Sequence, residues 1–402
     1  MKQPKTKHHL RLASIFSGLL VVVYGAFATV HTPALNIQPT VNFQAVQSPT
    51  AQALAWPSYG QAAVGAEQYG VLAEHGDQTP VPTASTAKIM TALAILRTKP
   101  LAAGQAASPI ITLTQADVDI YNSFVAKDGS VALVAAGEQI SEYQALQALL
   151  LPSANNMADS LAIWAFGSTD AYVTYANQLA TELGLKNTHI ADASGFSPAT
   201  VSTASDLVKL SLAAMNEPVF ADIVSQSSAT IPVAGKIYNV NGLLGRDNII
   251  GIKTGNTDQA GGVFVIAGKQ VVNGQTLTVV ASVMGGPNLV RSMLDSVPLL
   301  TSARQNFGVT TVVPANTLVG TYTVPWAGQV ELRTARALTL LTWNGSAITT
   351  THNIRPLGKS EQAQAVVGNI SASTIGAASS TPVVTATSIP APSLAWRLRH
   401  PW

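Results

Sequence analysis

The apolar residues of this chain change from helical to strand-like spacing near residue 249, and that change limits the layers the chain can build. Upstream, two strand-like runs (Tyr59–Val64 and Gly70–His75) are followed by segments of helical period. In Ala84–Arg97, the residues Ile89, Met90, Leu93 and Leu96 fall at core spacing. Ser141 and Gln144 form a capping-box pattern that opens a helix carrying Leu146, Leu149 and Leu150 and stopping at Pro152. A second helix carries Met157, Leu161 and Trp164. Asp170 caps a third that ends at Gly184, and Thr203 with Asp206 caps a fourth. Downstream, Ile249–Thr254, Val263–Ala267 and Leu277–Val283 are short β-rich runs, and Asn273-Gly274 marks a hairpin between the last two. Asn288–Phe307 reads as a closing, partly helical segment. Strands, then helices, then strands predict an α+β fold in which a helical cluster packs against an antiparallel sheet over residues 56–307. Beyond Phe307, Leu318–Val324, Gln329–Leu332 and a hairpin around Asn344-Gly345 predict a small all-β domain over 308–370.

The flanks carry different information. Residues 12–30 contain no charge and follow the basic residues Lys2, Lys5, Lys7 and Arg11. A basic start and an apolar run make either a signal peptide or a membrane anchor over residues 1–31. The length favours an anchor, while Ala26-Phe27-Ala28 resembles a cleavage site. Both place the remainder outside the cytoplasm, membrane-anchored or secreted. Residues 32–55 are uncharged and read as a flexible linker, and residues 371–402, rich in Ser, Thr, Ala and Pro up to about Pro392, read as a disordered tail. Charged residues make up 10% of the 402 and the net charge is +2, so nucleic acid is not an expected partner. With no cysteine, disulfides, a thiol nucleophile and a Cys-based zinc site are excluded. The seven histidines show no ligand spacing, and no metal or cofactor is expected. Gly358-Lys359-Ser360 lacks the upstream glycine of a phosphate loop.

Three short motifs carry chemistry. In Ser85-Thr86-Ala87-Lys88, residues three apart on a helix share a face, so the Lys88 amine can reach the Ser85 hydroxyl. A lysine among Ala, Ile and Met is placed for a lowered pKa and hence for taking the serine proton. Ser153-Ala154-Asn155 lies between two helices. There Ser153 can relay a proton to a leaving amine and Asn155 can orient a peptide backbone. Lys253-Thr254-Gly255 ends a strand-like run. An edge strand there pairs with an extended peptide, Lys253 and Thr254 hold its carboxylate, and Gly255 permits close approach. Taken singly, each motif is ordinary: a surface pair, a loop, a strand end. In this order, and on these elements, they form the set of the penicillin-interacting serine enzymes.

The chain resembles the low-molecular-mass D-alanyl-D-alanine carboxypeptidase family from about Trp56 to Phe307, through PTASTAKIMTALAIL, LLLPSANNMADSLA, ADASGFSPATVSTASDLVKL and NGLLGRDNIIGIKTGNTDQAGG. The resemblance implies a β-lactamase/transpeptidase-like fold, with Ser85 as acyl-ester nucleophile, Lys88 as proton acceptor and Ser153 as a further catalytic residue. It implies substrate binding by Asn155, Lys253, Thr254, Gly255 and Asn256, with an oxyanion hole from the N–H groups of Ser85 and Asn256. The implied substrate is a peptidoglycan stem peptide ending in D-Ala-D-Ala, and β-lactams are the implied inhibitors. This sequence departs from the pattern at Asn156, where Asp is common, at Asn256, where an aromatic residue or His is frequent, and at Val240, where some members have Arg. A D,D-endopeptidase is the close alternative. A class A β-lactamase would have Asp in place of Ala154 and a Glu-x-x-Leu-Asn loop, which Glu182–Asn187 does not match. A catalytically silent wall-binding protein would not need the Ser85/Lys88 pair.

Overall fold

The structure, a computed structural model, describes residues 6–30, 36–102, 108–358 and 360–400. Lys2, Lys5, His31, Lys359 and Trp402 lie outside the described residues. The chain divides into a central unit, Thr50–Gly308, and a second unit built from Met1–Pro49 and Val309–Trp402.

The central unit holds the expected helical cluster and antiparallel sheet. Its five strands run in the order Ile249–Thr257, Gly261–Val272, Gln275–Gly286, Gln61–Ala66 and Gly70–His75. The hairpin at Asn273-Gly274 forms as expected, with both residues at positive φ (50° and 78°), the geometry of the tight turn that matches strand twist. Consecutive residues from Val263 to Ala267 are all buried, so both faces of the sheet are covered. Val263, Val265 and Ala267 join the core of the helical cluster. Gly262 and Gly268 instead meet Leu289 and Leu300 of the Leu289–Gln305 helix.

Helix Lys88–Thr98 runs through the middle of the cluster, buried from Lys88 to Leu96. The capping box at Ser141 and Gln144 forms and starts helix Glu142–Leu150. Thr203 caps Ala204–Met215 by accepting from the Asp206 N–H. The third helix is capped by Ser168 rather than Asp170, which sits in its first turn. The Ser168 hydroxyl accepts from the Ala171 N–H at 3.0 Å and fills the capping role directly.

The second unit corrects three expectations. Residues 371–392 are not a disordered tail. Val366–Thr374 and Ala377–Thr385 pair as adjacent strands of a six-stranded sheet with Thr349–Ile354, Gly328–Thr334, Leu318–Val324 and Thr40–Val41. Ile370, Ala372 and Val383 point into its core while Ser371, Ser373 and Ser380 alternate outward, so the β domain extends well past residue 370. Nor is the described part of 32–55 a free linker. Ile37, Val41, Phe43 and Ala45 pack on the same core, and Thr40–Val41 pairs with Leu318–Val324. Within the central unit, Gln52 and Ala55 bond to Asn306 and Ser302. Edge pairing uses backbone groups, so a segment without apolar periodicity can still be ordered. Third, Asn344-Gly345 is a turn, but the strands beside it do not pair with each other. Leu338–Trp343 pairs with Phe307–Val313, and Thr349–Ile354 pairs with Val366–Thr374. The C-terminal LAWRLRHPW, part of the expected tail, forms a short helix over Leu394–Arg399.

Candidate active site

Ser85 lies in a single tight helical turn, Ala84–Ala87, which leads into Lys88–Thr98. Residues three apart stack in such a turn more closely than in an α-helix, and the Lys88 Nζ reaches the Ser85 Oγ at 2.8 Å. The same amine donates to Asn155 Oδ1 at 2.7 Å and to the Ser194 carbonyl at 2.8 Å. Lys88 is fully buried. Burial holds its pKa well below the ordinary lysine value and the Lys253 charge lowers it further, against opposing pulls from Asp192 and Asp159. The partners fix how the amine is oriented when it is neutral. An amide oxygen and a carbonyl oxygen only accept, so they take the amine's two N–H bonds, and the lone pair faces the one partner able to donate, the Ser85 hydroxyl.

Ser153 stands at φ 66°, a left-handed conformation unusual for a non-glycine residue. Its Oγ is buried with no hydrogen-bond partner among the described residues. A buried polar atom kept unsatisfied is a feature of reactive sites. Asn155 opens the next helix, with its backbone N–H donating to the Ser130 carbonyl at 2.7 Å. Lys253 is buried on the edge strand, where its amine donates to the Thr254 carbonyl at 3.1 Å, and burial lowers its pKa to about 7. The edge strand, Ile249–Thr257, is paired on one side only among the described residues.

Ser85, Ser153, Thr254, Gly255 and Asn256 line one small open cavity of about 90 Å³. Lys88 and Asn155 join it through the bonds to Ser85 and to each other. Lys253 does not line the cavity; its amine is buried against Thr254, which does. A Cβ on Gly255 would stand 3.1 Å from the Ser85 backbone nitrogen, so the glycine lets the edge strand approach Ser85. Three further residues line the cavity without a signal that marks them as site residues: Ser130, Val240 and Leu289. Val240 stands out in the sequence only as a departure from the family pattern. Ser130 sits in a loop that no motif marks, far upstream of Ser153.

Asn156, another departure from the family pattern, is buried. It donates to the Ala132 carbonyl at 2.9 Å and accepts from the Ala132 N–H at 3.0 Å. An ionised aspartate could only accept there. The amide therefore pins the extended segment just beyond Ser130.

Beside Ser85, Ala84 is held at φ 45°. Gly195, at φ 71°, packs under it, and a Cβ there would fall 1.9 Å from the Ala84 carbonyl oxygen.

A family model described as D-alanyl-D-alanine carboxypeptidase matches residues 50–288. The chain belongs to that family. It is 30% identical over 235 residues to the D-alanyl-D-alanine carboxypeptidase DacA of Escherichia coli strain K12, covering 58% of this chain and 57% of the relative. It is 32% identical over 204 residues to a D-alanyl-D-alanine endopeptidase of Pseudomonas aeruginosa, covering 49% and 62%. The chain thus spans a little over half the length of these curated relatives. Among solved structures, the Streptomyces K15 DD-transpeptidase matches with a TM-score of 0.53 at 27% identity, covering 64% of this chain and 98% of that one. Penicillin binding protein 5 from Haemophilus influenzae matches with a TM-score of 0.58 at 20% identity over 85% of this chain and 99% of that one, a likeness of fold.

Gly195→Ala tests the support beneath the nucleophile. The left-handed backbone alone costs a non-glycine residue about 1–3 kcal/mol, and the clash with Ala84 adds to it. Chemical denaturation should show a loss of at least that size; unchanged stability would show that the loop does not press on Ala84.

Proposed function

We propose that this protein is a serine-type D-alanyl-D-alanine carboxypeptidase that removes the terminal D-Ala from peptidoglycan stem peptides outside the cytoplasmic membrane. The observation that carries the reading is the buried Lys88 amine, 2.8 Å from the Ser85 hydroxyl and otherwise held by two oxygens that only accept. A peptide ending in D-Ala-D-Ala pairs along the free side of Ile249–Thr257, with its carboxylate toward Lys253 and Thr254. Ser85 Oγ attacks the carbonyl carbon of the penultimate D-Ala while its proton passes to Lys88 Nζ. The N–H groups of Ser85 and Asn256 receive the developing oxyanion. The C–N bond then breaks as Ser153 gives its proton to the leaving amine and regains one from the Lys88 ammonium, and D-Ala departs. Water, losing a proton to the neutral Lys88 amine, attacks the ester carbonyl, and Lys88 returns that proton to the departing Ser85 oxygen. A β-lactam carbonyl meets the same nucleophile and acylates it.

We further place helix Thr6–Val30 across the membrane as a retained anchor. Its stretch Arg11–Thr29 has a mean hydropathy of 2.0 and is long enough to span a bilayer. Leu12, Ile15, Phe16, Leu19 and Leu20 are exposed along it. The Ala26-Phe27-Ala28 cleavage-like site lies inside the helix, with Ala28 buried. The C-terminal helix is tied to the same end: the Tyr24 hydroxyl donates to the Leu398 carbonyl at 2.7 Å, and Arg397 donates to the Thr29 carbonyl at 3.1 Å.

Incubation of the full chain with a stem pentapeptide, a cross-linked stem-peptide dimer and a penicillin tests the activity. The reading predicts stoichiometric D-Ala release from the pentapeptide and slow penicillin turnover. Cleavage of the dimer alone would make the protein an endopeptidase, and rapid penicillin hydrolysis without D-Ala release would make it a β-lactamase. Intact mass of protein extracted from membranes tests the anchor: the retained helix predicts a mass that includes the residues before Phe27, and a mass starting at or after Phe27 contradicts it.

A further inference from the structure

The Ser194 carbonyl that holds Lys88 belongs to a loop organised around one carboxylate. Asp192 Oδ2 accepts from the Ser194 hydroxyl at 2.7 Å, the Phe196 N–H at 2.9 Å, the Ser194 N–H at 3.3 Å and the Ser197 N–H at 3.4 Å. Asp192 Oδ1 accepts from the Thr200 hydroxyl at 2.5 Å. Thr200 Oγ1 in turn accepts from the Ala191 and Asp192 N–H groups. These donors, gathered on one side chain, curl residues 192–200 into a tight loop whose carbonyls face the nucleophile helix. The Ala193 carbonyl accepts from Thr91 at 2.6 Å, one helical turn beyond Lys88, and the Ser194 carbonyl accepts from Lys88 itself. Gly195 presses on Ala84, and the Phe196 ring meets Phe124 edge-on at 5.8 Å. The loop thus touches Ala84 and Lys88, the two residues that determine where the Ser85 hydroxyl and its base stand.

We propose that Asp192 is a positioning residue for acylation: its carboxylate holds the 192–200 loop so that the Ser194 carbonyl fixes the Lys88 amine against Ser85. The inference rests on the reading of Ser85 and Lys88 as nucleophile and base. Asp192 also acts through its charge. The charged groups that act on Lys88 from the surrounding elements are Lys253 on the edge strand, Asp159 on helix Asn155–Phe166, and Asp192 on the loop. Lys253 favours the neutral amine, and the two carboxylates favour the ammonium. Removing the Asp192 charge therefore makes Lys88 a base at lower pH, even as the loop loosens.

The rate at which a fluorescent penicillin acylates the full chain, followed across pH, separates these effects. Wild-type acylation rises with pH as Lys88 loses its proton. In Asp192→Asn the rising limb should move to lower pH by about half a unit and the plateau should fall by roughly tenfold. A merely structural role lowers the plateau and leaves the limb in place, so an unmoved limb overturns the inference. Should the Asn variant fail to fold, Thr200→Val carries the test, because it removes one donor to Asp192 and the acceptor for the Ala191 and Asp192 N–H groups while keeping the charge. A plateau about fivefold lower, with the limb and the melting temperature unchanged, supports the proposal, and a wild-type plateau overturns it. Wild-type protein that never acylates removes the Ser85/Lys88 reading itself, whereas wild-type acylation with an unmoved limb in Asp192→Asn removes only this inference.

Discussion

A lysine amine buried with no carboxylate bonded to it among the described residues is the constraint on which the rest of the structure depends. Desolvation penalises the ammonium and lowers the pKa of the amine. Three oxygens from three separate segments surround it, supplied by Ser85, Asn155 and Ser194. The Ala84–Ala87 turn, the Asn155 helix and the 192–200 loop must all be in place for that contact to exist. The depth of helix Lys88–Thr98, the strained Ala84 and the glycine beneath it all serve one position.

The sheet supplies the other wall. Its outermost strand carries Lys253, Thr254 and Gly255, and the absence of a Cβ at Gly255 brings the strand against the Ser85 backbone. Ser153 faces the same cavity with its hydroxyl unpaired among the described residues, in a conformation that a relaxed turn would not adopt. A buried lysine amine, a strained serine and a strand edge unpaired among the described residues make a surface suited to an extended peptide with a carboxylate end.

Much of this site was legible in the sequence because its chemistry needs short fixed spacings. Ser85 and Lys88 are one helical turn apart, Ser153 and Asn155 flank a single residue, and Lys253 to Gly255 are consecutive. Groups set by tertiary packing left no such trace. Ser130 and Leu289 reach the cavity from segments with no motif, and Asp192 acts through a loop whose order comes from its own side-chain bonds. The fold followed the same division. Periodic helices and the Asn273-Gly274 hairpin were readable, but Thr40–Val41 and Ala377–Thr385 were not. Edge pairing and small alternating Ser, Thr and Ala residues look like spacer when only hydrophobic period is counted.

Intact-mass analysis of the full chain after exposure to a penicillin, run beside Ser85→Ala and Lys88→Met, tests the central contact most directly. Met keeps most of the buried stem of Lys88 while removing the amine. The wild-type protein should gain the mass of one acyl group, and the Ser85→Ala and Lys88→Met proteins should gain none while remaining folded. Acylation of folded Lys88→Met at the wild-type rate would contradict the role of the buried amine.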